Sequence, residues 1–143
     1  MPFDLLNPDA LGPTRGWTNG MLAPSGGRLL LIAGQDAAEP GGGVVHDDFT
    51  EQFRQALDKV LTVVRAAGGG PTDVGRMTVF VTDLDAYRAS RRALGPLWQK
   101  VMGGHYPAMA LVEVSRLVDP RAQVEIEATA VIGGTVPTHG EGA

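Results

Sequence analysis

Val124-Glu125-Ile126-Glu127-Ala128-Thr129-Ala130-Val131 reads as a half-buried strand. Val124, Ile126, Ala128 and Ala130 fall on one face, and Glu125, Glu127 and Thr129 on the other. A period of two is the signature of a strand covered on one side. Pro107-Ala108-Met109-Ala110-Leu111-Val112-Glu113-Val114 precedes it as a second strand, expected to be joined to it by a short turn within Ser115 to Gln123. Two carboxylates two residues apart on one strand face repel each other and add no apolar burial. If a second subunit covers that face, at least one of them needs a function.

Working outward, Met77 to Thr82 is β-branched and aromatic and reads as a further strand. Asp48 stands as an N-cap with Glu51 at the capping-box spacing. Behind it Phe49, Phe53, Ala56, Leu57, Val60, Leu61, Val64 and Ala67 recur at helical spacing, and Gly68 is placed to terminate the helix. A second helix spans Leu84 to Val101, with Leu84, Tyr87, Arg91, Leu94, Trp98 and Val101 along one stripe. Gly95-Pro96 should kink or restart it. The glycines of 68–70 follow a helix C-terminus, where the dipole repels anions, so a connector is favoured over a phosphate cradle. Toward the N-terminus, Trp17–Leu22 and Arg28–Ala33 flank the turn Pro24-Ser25-Gly26-Gly27 and predict a β-hairpin. Residues 1–16 hold Pro2, Pro8, Gly12, Pro13 and Gly16 and are expected to form an extended segment. Residues 17–132 are expected to form one domain, and 133–143 a flexible tail.

The order is β-β-α-β-α-β-β, an α+β arrangement with the helices on one sheet face. The other face, expected to carry Met109, Leu111, Thr129 and Val131, is an apolar surface in need of cover, and self-association is the economical answer. The chain has 143 residues, 43% of them hydrophobic and 20% charged, which is globular composition for a single domain. A net charge of −4 gives no electrostatic footprint for nucleic acid. The chain has no cysteine, which excludes disulfides, thiolate metal sites and a Cys nucleophile, and fits a reducing compartment. The strictly apolar runs, Leu29 to Ala33 among them, are far short of the ~20 residues that span a bilayer. No signal peptide is visible at Met-Pro-Phe-Asp-Leu-Leu, so a soluble, cytoplasmic protein without membrane partners is expected.

Many short stretches, in one order, carry a family likeness. They include Ile32-Ala33-Gly34-Gln35, Phe53-Arg54-Gln55-Ala56-Leu57, Met77-Thr78-Val79-Phe80-Val81-Thr82-Asp83-Leu84, Tyr106-Pro107-Ala108 and Glu125-Ile126-Glu127-Ala128-Thr129-Ala130-Val131. In these the chain resembles the Rid family (RidA/YjgF-type reactive intermediate or imine deaminases, endoribonuclease L-PSP-like) over residues 17 to 132. The resemblance implies a chorismate-mutase-like fold, with a six-stranded sheet, two helices on one face and homotrimeric assembly. Ligand clefts would lie between subunits. It also implies hydrolysis of 2-imino or enamino acids to 2-oxo acids and ammonia, with no metal or cofactor. Such chemistry needs a cation for the substrate carboxylate, a place for water, and a group that moves protons.

By that resemblance the site residues are Glu125 as the catalytic carboxylate, with Trp17, Gly34, Arg91, Pro107, Ala108 and Met109 binding substrate. The family's Arg directly after Pro-Ala is here Met109, which cannot make the two-pronged, charge-assisted grip on a carboxylate. Its Ser before Gly-Gln is Ala33, its N-terminal Tyr matches Trp17, and the Asn of its second helix falls at Arg91. A more apolar pocket and a less anionic substrate are expected. Arg91 is either a replacement cation or a solvated helix residue beside Arg88 and Arg92; Arg116 and Arg15 are weaker candidates of the same kind. Trp17 either stacks on a ligand or packs at the hairpin. His105 is expected to face solvent, and Glu127 to be a plain surface residue. Two readings stay open: an imine/enamine hydrolase acting on a small metabolite, or a non-catalytic ligand-binding trimer of the same fold. Ribonuclease activity, also attached to parts of the family, is opposed by the acidic charge.

Overall fold

The computed structural model describes residues 3–133, so the expected tail lies, from residue 134 on, outside the described residues. The elements are β1 (Asp4–Leu6), β2 (Gly20–Leu22), β3 (Arg28–Gln35), α1 (Phe49–Ala66), β4 (Val74–Val81), α2 (Leu84–Ala89), α3 (Arg91–Met102), β5 (Ala108–Glu113) and β6 (Val124–Ile132). The class is α+β. A four-stranded sheet runs β3-β6-β4-β5, and β1 and β2 form a separate two-stranded ribbon. β6 is antiparallel to both neighbours, whereas β5 lies parallel to β4. A parallel pair needs a long crossover, and α2 and α3 supply it.

α1 forms as its spacing predicts. Asp48 accepts the Glu51 N–H at 2.9 Å. At the other end Gly68 sits at φ +87 and Gly69 N–H reaches back to Val64 O at 3.0 Å, a glycine-terminated Schellman turn. Its apolar stripe, with Leu57, Val60, Leu61 and Val64 fully buried, packs on Val124, Ile126, Ala128 and Ala130 of β6 and on Met77, Val79 and Val81 of β4. Truncating Leu57 or Leu61 to Ala there would cost about 2–5 kcal/mol. Gln52, fully buried on the same helix, donates to His46 O (2.7 Å) and Arg121 O (3.1 Å) and accepts from Gln123 N–H (2.8 Å). It ties the start of α1 to the loop that enters β6.

Several expectations change. The hairpin between 17–22 and 28–33 does not form: β2 pairs with β1 (Leu5↔Met21), and β3 pairs with β6. Residues 3–16 are therefore not a plain extended segment, and the six strands among the described residues divide between two sheets. Phe3 secures that segment, its buried ring lying so close to Gly75 that a Cβ there would come within 2.6 Å. The strands at 107–114 and 124–131 are not neighbours, because β4 lies between them. The second helix restarts at Ser90 rather than at Gly95-Pro96. Ser90 Oγ donates to Ala86 O at 2.8 Å, a back-bond that bends helices.

The composition of the bare face is also corrected. Met77↔Met109 and Val79↔Leu111 are register partners, and Met77 and Val79 are buried under the helices. Met109 and Leu111 therefore pack on the helix side. The uncovered face is built from Leu29 and Leu31, 66% and 72% exposed, beside Val131 and Thr129, with Val112 at the far edge. The apolar surface that the sequence implies is present, made from β3 instead of β5. Among the described residues no helix is long and apolar enough to cross a membrane.

Candidate functional site

The ladder between β3 and β6 slips between Ile32 and Gln35, and this irregularity brings the Gly34 backbone onto the Glu125 side chain. A Cβ at Gly34 would lie 2.8 Å from Glu125 Cδ, so only glycine leaves the carboxyl where it is. Glu125 is half-buried, and Glu127, two residues along the same face, is exposed. Partial burial first, then the nearby charges of Asp36 and Glu127, raise the Glu125 pKa above the usual carboxylate value. Lys59 keeps Asp36 nearby, donating to Asp36 O (2.8 Å) and Ala38 O (2.9 Å). A carboxyl raised in this way can hold or release a proton closer to neutrality, as acid–base work requires.

The other predicted residues gather across the sheet, except Ala108, which pairs with Arg76 on the face that carries Thr129 and Glu125. Arg91 and Met109 line one hollow of about 230 Å³ between α3 and β5, together with Trp98, Tyr106 and Leu111. Trp98 and Tyr106 stack at 5.8 Å with their planes 7° apart. Pro107 is fully buried and sets the start of β5, and Ala108 is half-buried. Trp17 is 46% exposed and lines a neighbouring hollow of about 560 Å³ with Thr18, His105 and Tyr106, rather than packing at a hairpin. Gly16 and Tyr106 border both hollows.

His105 is buried, contrary to expectation. Its Nε2–H donates to Val74 O at 2.7 Å, and its carbonyl accepts Trp98 Nε1–H at 3.0 Å. Its role is to brace the aromatic wall. Arg116 lines a separate hollow with Ser115 and Leu117, and Arg15 borders none of these. Arg76 escaped the sequence reading. It stands opposite Thr129 and Ala108 and donates to Ala108 O at 3.2 Å. Its mid-strand place between Gly75 and Met77 was the available signal. Among the described residues no His, Asp and Glu side chains group so as to hold a metal ion.

The decisive geometry is the division between the two clusters. Glu125 pairs with Phe80 and shares its face with Glu127 and Thr129, while Met109 pairs with buried Met77 on the helix side. The carboxylate cluster and the Arg91–Met109 hollow thus lie on opposite faces of one sheet. One small molecule cannot touch both within a single copy.

A family model described as Endoribonuclease L-PSP matches residues 8–132. The 2-iminobutanoate/2-iminopropanoate deaminase of Escherichia coli is 37% identical over 105 residues, which cover 73% of this chain and 80% of that protein. A RutC family protein of Haemophilus influenzae is 35% identical with the same coverage. Among solved structures, the Rid-family protein YyfB of Yersinia pestis matches with a TM-score of 0.81 and 31% identity, over 92% of this chain and all of that one. The Escherichia coli YjgF product matches at 0.65 with 34% identity, over 87% and 92%.

Proposed function

The chain belongs to the endoribonuclease L-PSP (Rid/YjgF) family, and we propose that it acts as an imine hydrolase at clefts formed between the subunits of a homotrimer. The observation that carries this reading is the split of the site across the sheet. No single copy brings Gly34 and Glu125 to the Arg91–Met109 hollow, so one ligand can touch both only if the hollow of one copy is set beside the Glu125 cluster of another. The exposed Leu29 and Leu31 supply apolar area for that closure.

The substrate is a 2-imino or enamino acid, and the reaction needs only water. Water oxygen attacks the carbon of the protonated imine, the C=N π pair moves onto nitrogen, and Glu125 takes a proton from the water, which leaves a neutral carbinolamine. Glu125 returns that proton to nitrogen, the C–N bond breaks, and the hydroxyl proton leaves with the ammonia as ammonium, so that the oxo acid remains. Gly34 fixes the carboxyl by contact, and the Pro107–Ala108 backbone and Trp17 border the ligand. The deaminase name of the Escherichia coli relative supports this chemistry.

Met109 favours a second reading, a non-catalytic ligand-binding trimer, because it leaves the position after Pro107-Ala108 without a cation. The two separate experimentally. 2-Iminopropionate generated in situ by an amino-acid oxidase should decay faster with the protein present, and Glu125→Gln should abolish the acceleration. No acceleration, with a thermal shift by pyruvate, would establish the binder instead. Met109→Arg should raise kcat/KM on this small imine by about a hundredfold, the worth of a charge-assisted anchor.

A further inference from the structure

We infer that the hollow between α3 and β5 is a side-chain subsite, and that the preferred substrate carries a branched aliphatic or aromatic group on its imine carbon. This rests on the hydrolysis proposed at the same site and names its substrate class. The walls are apolar: Leu94, Trp98, Tyr106, Met109 and Leu111. Its volume of about 230 Å³ falls below the ~300–1,000 Å³ of drug-sized sites, which suits one substituent of a small metabolite. The stacked Trp98 and Tyr106 rings make a flat side, held by the hydrogen bond from Trp98 to His105 O.

Two features of α3 give the hollow its direction. Arg91 is the only charged residue among those that line it, and its guanidinium has no ion-pair partner among the described residues. Gly95, one turn on and on the same helix face, leaves open space where a side chain would stand, with no atom within 4 Å of a Cβ there. A substrate carboxylate at the Arg91 rim therefore sends its apolar group over Gly95 toward Met109 and Leu111. The less anionic substrate expected from Met109 alone gives way to one that is anionic at one end and bulky at the other.

The test uses imines generated in situ from alanine, leucine and phenylalanine, with wild-type protein and Gly95→Leu. Leucine replaces glycine inside a helix, where glycine is disfavoured, so the variant should fold, and circular dichroism and thermal melting check this. The leucine- and phenylalanine-derived imines should exceed the alanine-derived one in kcat/KM by about tenfold or more, the usual worth of added apolar groups in a pocket. Gly95→Leu should erase that preference by losing the bulky substrates. Hydrolysis of all three imines at equal kcat/KM would overturn the subsite and leave the hydrolase standing. If no imine is hydrolysed, the hydrolase reading fails and binding decides the subsite. A larger thermal shift by 4-methyl-2-oxopentanoate than by pyruvate, lost in Gly95→Leu, would then support it. Equal or absent shifts would overturn it.

Discussion

At Glu125, burial and the charges of Asp36 and Glu127 all push the carboxyl pKa upward from the ordinary 4.5. A folded-state pKa above the unfolded one means that the ionised form is disfavoured on folding. The resulting loss of stability is absent well below pH 4.5 and grows as pH rises through the unfolded value. It is complete above the folded one. Glu125→Gln should therefore melt higher than wild type near neutral pH, with the gap closing under acid. It should also lower kcat by about 10²–10⁴-fold, the range for a lost general acid–base group. The acid limb of wild-type activity should lie above pH 4.5, since Glu125 must be ionised to take the water proton. A variant without activity whose melting temperature does not rise near neutral pH would separate Glu125 from the strain assigned to it. Gly34→Ala probes the same contact: its backbone φ is ordinary, so the added methyl displaces the carboxyl without unfolding the chain.

Helix α1 is held at its start by a side chain that no hydrophobic pattern announces. Gln52→Ala would leave Gln123 N–H and the His46 and Arg121 carbonyls without their partner, and a lost buried network of this kind should cost about 1–3 kcal/mol. Thermal or urea unfolding measures it; an unchanged midpoint would show that water replaces the amide without loss. Most elements were legible in the sequence: the capping pair Asp48 and Glu51, the period of two in Val124–Val131, and the apolar stripe behind Phe49. What was not legible depended on partners distant along the chain. A run such as Pro107–Val114 carries apolar residues on both faces, so its orientation was settled only by parallel pairing with β4, which turned Met109 and Leu111 toward the helices. β2 chose β1 over its sequence neighbour β3, because Phe3 lodges against Gly75 and β6 captures β3. Ser90 bends the second helix before Gly95-Pro96 has the chance. The site followed the same rule. Gly34 and Glu125 were singled out by resemblance, and the fold brings them into contact, whereas the burial of His105 came only with the fold.

For the whole molecule, the uncovered sheet face governs everything proposed. It presents Leu29 and Leu31 at 66% and 72% exposure, on the side where Glu125 sits, while the Arg91–Met109 hollow opens on the other. Exposed leucines on a sheet face call for cover, and in the proposed trimer a closed ring of copies would supply it without leaving an open end. Leu31→Asp places a charge there while leaving the core cluster untouched, so it should yield a folded but dissociated chain. Sedimentation of the wild-type protein at micromolar concentration tests the claim most directly. The account predicts one species of three times the 15.0 kDa chain mass, reduced to the single-chain mass by Leu31→Asp. A well-folded wild-type monomer of 15.0 kDa would contradict it, because no copy alone brings Glu125 and the hollow to one ligand.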